Sequence, residues 1–292
     1  MSRSGAIAFV WLQRILPKYL LTAIVYRLAR VRLQPVKDWL IRRFVGLYDV
    51  DLQELEQKVP DDYATFNDFF TRELSPGQRP VDPAAEAIVS PVDGTVSACG
   101  SIARNMILQA KGRHYSLQEL LATDLQEADE MIDGSFLTAY LAPFNYHRVH
   151  CPIAAELVAV RYVPGDLFSV NDATVTHLPR LFARNERLIC RFESTAASMI
   201  LIFVGAMHVG SISTKWTGEI RPRRKGVVRD FDPGAFDRTL SVVRGGLLGW
   251  FNMGSTVIVL LPPGRCRWRP DMLPGRPLRV GEAIGTMAGR PQ

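Results

Sequence analysis

Apolar positions recur with two different periods along this chain. Over residues 1–48 they fall into three runs, 6–16, 19–33 and 36–48, divided by Pro17 and Pro35. A proline has no N–H to donate and clashes with the preceding turn, so each marks a helix boundary. In the third run Val36, Leu40, Phe44 and Leu47, with Trp39, repeat at helical spacing, while Lys37, Asp38, Arg42 and Arg43 take much of the other side. That predicts an amphipathic helix. From about Ile88 the runs become short and are punctuated by glycine and proline: 87–89, 94–96, 135–141, 157–163, 188–192 and 256–261. This pattern predicts a mostly antiparallel β domain. Helical interruptions are expected at 65–72, where Thr65 and Asn67 are candidate caps, and at 116–121. The class is therefore α+β, with helices over 1–48 followed by a β-rich domain over 49–292.

One stretch imitates a membrane span. Residues 194–214 carry no formally charged side chain, yet their interior is β-branched and broken by Gly205 and Gly210. It reads as two buried strands joined by a turn or bulge. Nor does any N-terminal run cross a bilayer, because about 20 consecutive apolar residues are needed and Arg14, Lys18 and Arg27 intervene. A secretory signal is not supported either, since arginines follow the apolar run and no small-residue cleavage site is evident.

Composition narrows the function classes. With 292 residues, 47% of them hydrophobic, and 22 Gly and 19 Pro in no period, the chain is neither disordered nor collagen-like. The cysteines, Cys99, Cys151, Cys190 and Cys266, include no C-x-x-C pair, so no disulfide framework or zinc ribbon is expected and a reducing compartment is the simpler assumption. Residues 1–46 hold nine basic residues against one acidic, while the whole chain is only +6. That argues against a basic nucleic-acid surface spread over the protein. Three readings of the N-terminus stay open: an RNA-binding arm, a set of helices packed on the protein's own core, or helices lying at a membrane interface. The last combines apolar burial with attraction of Lys and Arg to anionic headgroups. It is the reading adopted, with no nucleic-acid partner. The compact basic loop at 221–225 is usually solvated but is also suited to lipid headgroups.

Four places combine reactive side chains with turn residues: Pro91-Val-Asp93-Gly94, Tyr146-His147-Arg-Val-His150, Pro164-Gly-Asp-Leu-Phe-Ser169-Val-Asn171 and Met253-Gly254-Ser255-Thr256. Each is weak alone. Gly-Ser occurs four times, and Asp-Gly is more often a turn than a catalytic acid. The histidine pair would share a helix face as half a metal site, but prolines flank it and no carboxylate is near in sequence, so no metal is expected.

Their combination and order, with Gly112-Arg-His-Tyr-Ser116 and Leu181-Phe-Ala-Arg-Asn-Glu-Arg187, resemble the phosphatidylserine decarboxylase family of the bacterial membrane-associated, pyruvoyl-dependent type. The likeness runs from the N-terminal helices to about Leu261. One departure is Met253 where leucine is common in the cleavage motif, which keeps an apolar residue. The resemblance implies phosphatidylserine as substrate and phosphatidylethanolamine and CO2 as products. It implies self-cleavage between Gly254 and Ser255 into a large chain 1–254 and a small chain 255–292 that stay associated, and a covalent pyruvoyl group made from Ser255. Losing CO2 leaves a carbanion at Cα, which needs an electron sink, and nothing in the sequence argues for a pyridoxal lysine. A glycine before the serine lets Oγ approach the upstream carbonyl, and the serine needs a base and an orienting acid. By resemblance these are His150 and Asp93. His147 is the candidate proton donor to the product carbon, on the strength of an unperturbed pKa near neutrality. Substrate-binding candidates are His147, Ser169 and Tyr140. The family also implies a homodimer and a peripheral location on the cytoplasmic face of the inner membrane. Two further readings use the same features: a membrane-bound serine hydrolase, which lacks here the G-x-S-x-G elbow and the alternating βα pattern, and a β-rich lipid-binding module needing neither Ser255 nor His150.

Overall fold

A computed structural model describes residues 3–110, 112–123, 128–207, 211–223 and 226–288. Three helices open it: α1 (Arg3–Ile15), α2 (Lys18–Leu28) and α3 (Gln34–Leu47). Pro17 ends α1, as its missing N–H requires, and α1 and α2 meet at 86°. Pro35 does not precede α3 but sits in its first turn, where the absent N–H has no partner to lose. The second helix stops short of residue 33 because the Ala29 carbonyl accepts the Asn67 N–H (2.8 Å) from outside the helix. No single helix among the described residues is long and apolar enough to cross a membrane.

The helices are neither wholly packed nor wholly free. Ile41 is buried with Phe66, Phe69 and Phe70 in a small core that Leu40, Phe44 and Met253 adjoin. Lys37, expected on the solvated side of α3, is buried and donates to the Pro60 carbonyl (2.9 Å). Outward, Trp11, Ile15, Leu20, Ile24, Leu33, Trp39 and Leu47 remain exposed. The predicted apolar face of α3 is therefore split, with Leu40 and Phe44 turned inward and Trp39 and Leu47 outward.

The β-rich part is antiparallel throughout its strand pairs, as the short punctuated runs predict. Its main sheet follows the order 229–231, 155–163, 187–193, 199–204, 256–261, 135–140, 94–101 and 277–278, with Ser241–Val242 beside Ala155–Val163. The central strands Met199–Val204 and Thr256–Leu261 are buried at every position, which explains why both read as unbroken apolar runs. A second, four-stranded sheet orders 218–220, 212–214, 247–251 and 148–150.

The span imitated by residues 194–214 is thus two strands, Met199–Val204 and Ile212–Thr214, in different sheets. Residues 208–210 between them lie outside the described residues, as do 224 and 225 of the basic loop. Thr65 caps the short helix Phe66–Phe70 by accepting the Asp68 N–H, and Ser116 with Glu119 forms a capping box before Leu117–Leu121. Asn67 is not a cap. Its side-chain amide donates instead to Asn252 Oδ1 (3.1 Å), just before the Met253-Gly-Ser-Thr256 motif.

Candidate active site

Two short strands and two turns bring the motif residues together. The chain turns at 142–145, where the Ala142 N–H donates to Asn145 Oδ1 (2.8 Å) and the Asn145 N–H returns to the Ala142 carbonyl. That turn aims the Asn145 carbonyl at His147 Nδ1, 2.8 Å away. A carbonyl only accepts, so Nδ1 carries the proton and neutral His147 presents a bare Nε2. His147 is fully buried, with the Phe70 ring 4.2 Å from its own. Burial, aided by the charge of Arg72, pushes its pKa down to about 3. The ordinary pKa on which its role as proton donor was expected does not hold here: the imidazole is neutral at physiological pH.

Residues 252–255 lead from the strand Leu247–Phe251 into Thr256–Leu261. Asn252 fixes the entry, its amide donating to Ser211 Oγ (2.7 Å) and Ser213 Oγ (3.0 Å). The Ser255 carbonyl accepts the Leu141 N–H (2.9 Å), which fixes the exit. A Cβ on Gly254 would stand 3.3 Å from both His147 Nε2 and the Leu141 carbonyl, so the junction runs against the bare imidazole nitrogen. Ser255 is fully buried, and its Oγ, like His147 Nε2, has no hydrogen-bond partner among the described residues. Leaving a buried hydroxyl unpaired costs about 1–3 kcal/mol. Two such groups, Ser255 Oγ and His147 Nε2, flank Gly254 and are free to take part in chemistry there. A serine in this setting fits a group made from its own backbone and side chain.

Beside the junction lies a cavity of about 420 Å³. Its walls include Val25 of α2, Phe44 of α3, Tyr140, Ser169, Met253 and Gly254. The expected substrate residues Tyr140 and Ser169 thus share one space with Met253 and Gly254. Ser169 is held by its N–H, which donates to Gln13 Oε1 of α1 (2.8 Å), and by its hydroxyl, 2.7 Å from Thr174 Oγ1. The N-terminal helices are therefore part of the cavity wall and its support.

Asp93 and His150 form a second group. The His150 N–H donates to the Pro91 carbonyl, two residues before Asp93. Its Nδ1–H donates to the Gly245 carbonyl (2.8 Å), and its Nε2 accepts the Tyr146 hydroxyl (3.1 Å). Burial lowers the His150 pKa, against the opposing pull of the Gly245 carbonyl and the Asp93 charge. The hydrogen bond expected between Asp93 and His150 is not made. Asp93 is committed to Arg79, whose guanidinium also grips Glu54 (2.7 Å), and to the Val280 N–H (2.8 Å). A nearby cation with five donors outcompetes a neutral imidazole for a carboxylate. Gly94 follows because the strand it opens passes so close to its neighbour that a Cβ would lie 2.3 Å from the Tyr140 carbonyl.

Glu186, in the Phe-Ala-Arg-Asn-Glu-Arg motif, is a buried acid with a different consequence. Burial pushes its pKa from 4.5 to about 8, partly offset by the Tyr162 hydroxyl, which donates to Oε2 (2.9 Å). Between those two values the folded chain holds a proton that the unfolded chain releases, so stability falls as pH rises from about 4.5 through 8. Glu186→Gln is expected to remove that slope. Urea unfolding at about pH 6 and pH 8.5 checks it, and an unchanged slope in the variant would assign the effect elsewhere.

Comparison with known proteins gives the family. The sequence model of the phosphatidylserine decarboxylase family matches residues 66–286, and a second, described as PSD, matches residues 8–49. The chain belongs to the phosphatidylserine decarboxylase family. A phosphatidylserine decarboxylase proenzyme of Acidovorax ebreus is 46% identical over 277 residues, 95% of this chain and 96% of the relative. Those of Methylococcus capsulatus and Chromobacterium violaceum are each 45% identical, covering 95% of this chain and 96% and 98% of theirs. As a member of that family the chain is an enzyme, and the candidate residues from Asp93 to Ser255 fall within the matched region 66–286. Sequence reasoning gave no role to Arg72, Arg79, Asn145, Tyr146 and Asn252. Of these, Tyr146 opens a motif and Asn145 and Asn252 each adjoin one, whereas Arg72 and Arg79 carried no motif signal.

Proposed function

We propose that the chain is a proenzyme that cleaves itself between Gly254 and Ser255 and then converts phosphatidylserine to phosphatidylethanolamine and CO2 with a pyruvoyl group derived from Ser255. The observation that carries this reading is the pair of buried, unpartnered atoms, Ser255 Oγ and His147 Nε2, at a glycine junction on an apolar cavity. A hydrolase of the α/β type would place its serine in a G-x-S-x-G elbow, which this junction lacks, and a lipid-binding module has no use for either atom.

In the proposed self-cleavage, Ser255 Oγ attacks the Gly254 carbonyl and the peptide nitrogen leaves, giving an ester. β-Elimination then yields a Gly254 carboxylate and dehydroalanine at 255, which takes up water and loses ammonia to become pyruvoyl. His150 is the proposed base, with Tyr146 and the Asp93 charge setting its state. The pyruvoyl carbonyl supplies the electron sink for the carbanion that CO2 loss leaves behind. His147 manages the proton at that carbon. In the precursor it is neutral, but cleavage creates a carboxylate at Gly254, beside Nε2, and an adjacent anion raises an imidazole's pKa. Ser169 and Tyr140 hold the headgroup.

The membrane reading follows from the cavity's walls. A diacyl lipid leaves its bilayer at a cost of about 0.8 kcal/mol per exposed CH2, so the site must come to the surface. Residues 1–48 expose Trp11, Ile15, Leu20, Trp39 and other apolar side chains among nine basic ones, and line the cavity from behind. We assign them to peripheral attachment on the cytoplasmic face of the inner membrane. The two chains stay together because Thr256–Leu261 is paired on both edges, with Met199–Val204 and Ser135–Tyr140.

Denaturing intact-mass spectrometry of the wild-type protein tests the proposal. Two species ending and beginning at the 254/255 junction are expected, the smaller lighter by one ammonia than simple hydrolysis gives. A single intact chain would overturn it.

A further inference from the structure

Two loops on the cavity wall, 164–171 and 205–207, share one buried clasp. The side chain of Asn185 is fully buried. Its Oδ1 accepts the Phe168 N–H (3.0 Å), and its Nδ2 donates both to the Phe168 carbonyl (2.8 Å) and to the Gly205 carbonyl (2.9 Å). The neighbouring backbone repeats the pattern. Asp166 N–H donates to the Arg184 carbonyl (2.8 Å), Glu186 N–H to the Asp166 carbonyl (2.9 Å) and Gly205 N–H to the Glu186 carbonyl (2.9 Å).

There is no slack in this contact. A Cβ on Gly165 would come within 2.5 Å of the Arg184 carbonyl, and one on Gly205 within 2.5 Å of Glu186 Cγ. Phe168 is followed by Ser169, and Gly205 by Ala206, both on the cavity wall. One asparagine amide therefore joins the two walls. Only an amide supplies an acceptor and two donors at this reach. Aspartate keeps the acceptor and loses both donors.

We infer that Asn185 is a positioning residue that sets the gap between Ser169 and Ala206, and so the fit of the serine headgroup in the cavity. The inference rests on the reading of that cavity as the substrate site. The side-chain hydrogen bonds of Asn185 go to Phe168 and Gly205 and not to the Gly254–Ser255 junction or His147, so its effect is placed on substrate binding and not on self-cleavage. Because the clasp shapes the contacts made to bound substrate and to the transition state alike, losing it weakens both together relative to the free enzyme, which raises KM with kcat unchanged.

The test uses the full chain and phosphatidylserine in detergent micelles. Asn185→Ala is expected to cleave itself completely, to keep kcat within about threefold and to raise KM about tenfold. Asn185→Asp, which retains the Phe168 N–H bond, is expected to fall between wild type and alanine, and carries the test if the alanine variant does not accumulate. A cycle with Ser169→Ala separates positioning from general loosening: if Asn185 acts through Ser169, the double variant has a KM no higher than the worse single one. Multiplying KM effects, or a fall in kcat at unchanged KM, would overturn the inference. A wild-type chain that cleaves but does not decarboxylate phosphatidylserine would instead overturn the reading beneath it.

Discussion

Ser255→Ala is expected to remain one chain of 292 residues with decarboxylation reduced by at least about four orders of magnitude, because it loses both the nucleophile of self-cleavage and the source of the electron sink. The fold should not suffer. Ser255 Oγ is buried and accepts or donates no hydrogen bond among the described residues, so alanine removes an unpaired polar group and leaves a void no larger than one oxygen. Replacing such a group is neutral or stabilising. The thermal midpoint should therefore be equal to or above that of the wild-type precursor. Intact mass, activity and a melting curve on one sample decide the matter. Cleavage at the junction, or residual turnover, would show that another residue supplies the chemistry.

His147→Ala separates the two reactions. The variant is expected to cleave, because His150 is the proposed base, and then to turn over about 10²–10⁴ times more slowly, the usual contribution of a positioned proton donor. Single-turnover decarboxylation by the cleaved protein reads the second step alone. His147 Nε2 lies against Gly254 in the precursor, which makes the opposite outcome instructive. An uncleaved His147→Ala chain would make His147 the base of self-cleavage and leave the Asp93 and His150 group a supporting role.

Where the pattern along the chain was regular, it predicted the fold closely. Each of the runs 87–89, 135–141, 157–163, 188–192 and 256–261 lies on an observed strand, since a half-buried or fully buried strand leaves a mark of local spacing. The strand Arg148–His150 left none. It is three residues long and holds two charged or polar side chains, and its pairing with Leu247–Trp250 is a contact between distant residues. The site shows the same division. Gly254 and Ser169, legible as motif residues, and Tyr140, named through the resemblance, do meet at the cavity, and Ser255 is buried next to Gly254. The partner of Asp93 was not. Arg79 stands fourteen residues before it, in a segment with no motif, and only the fold shows that this cation and not His150 takes the carboxylate. The His147 pKa was likewise hidden, because desolvation depends on what packs around the ring, namely Phe70 and the buried Arg72.

The position of Thr256–Leu261 between Met199–Val204 and Ser135–Tyr140 has a consequence for folding history. The precursor assembles this sheet within one molecule, so its refolding is first order and independent of concentration. Once the proposed cleavage has occurred, the same strand belongs to a separate 38-residue piece inserted between two strands of the other. Reassembly after denaturation then becomes a second-order encounter whose yield falls on dilution. Maturation on this scheme is a ratchet. The active form is reached only through a folded ancestor, and a diluted denatured sample should recover activity from precursor but not from processed enzyme.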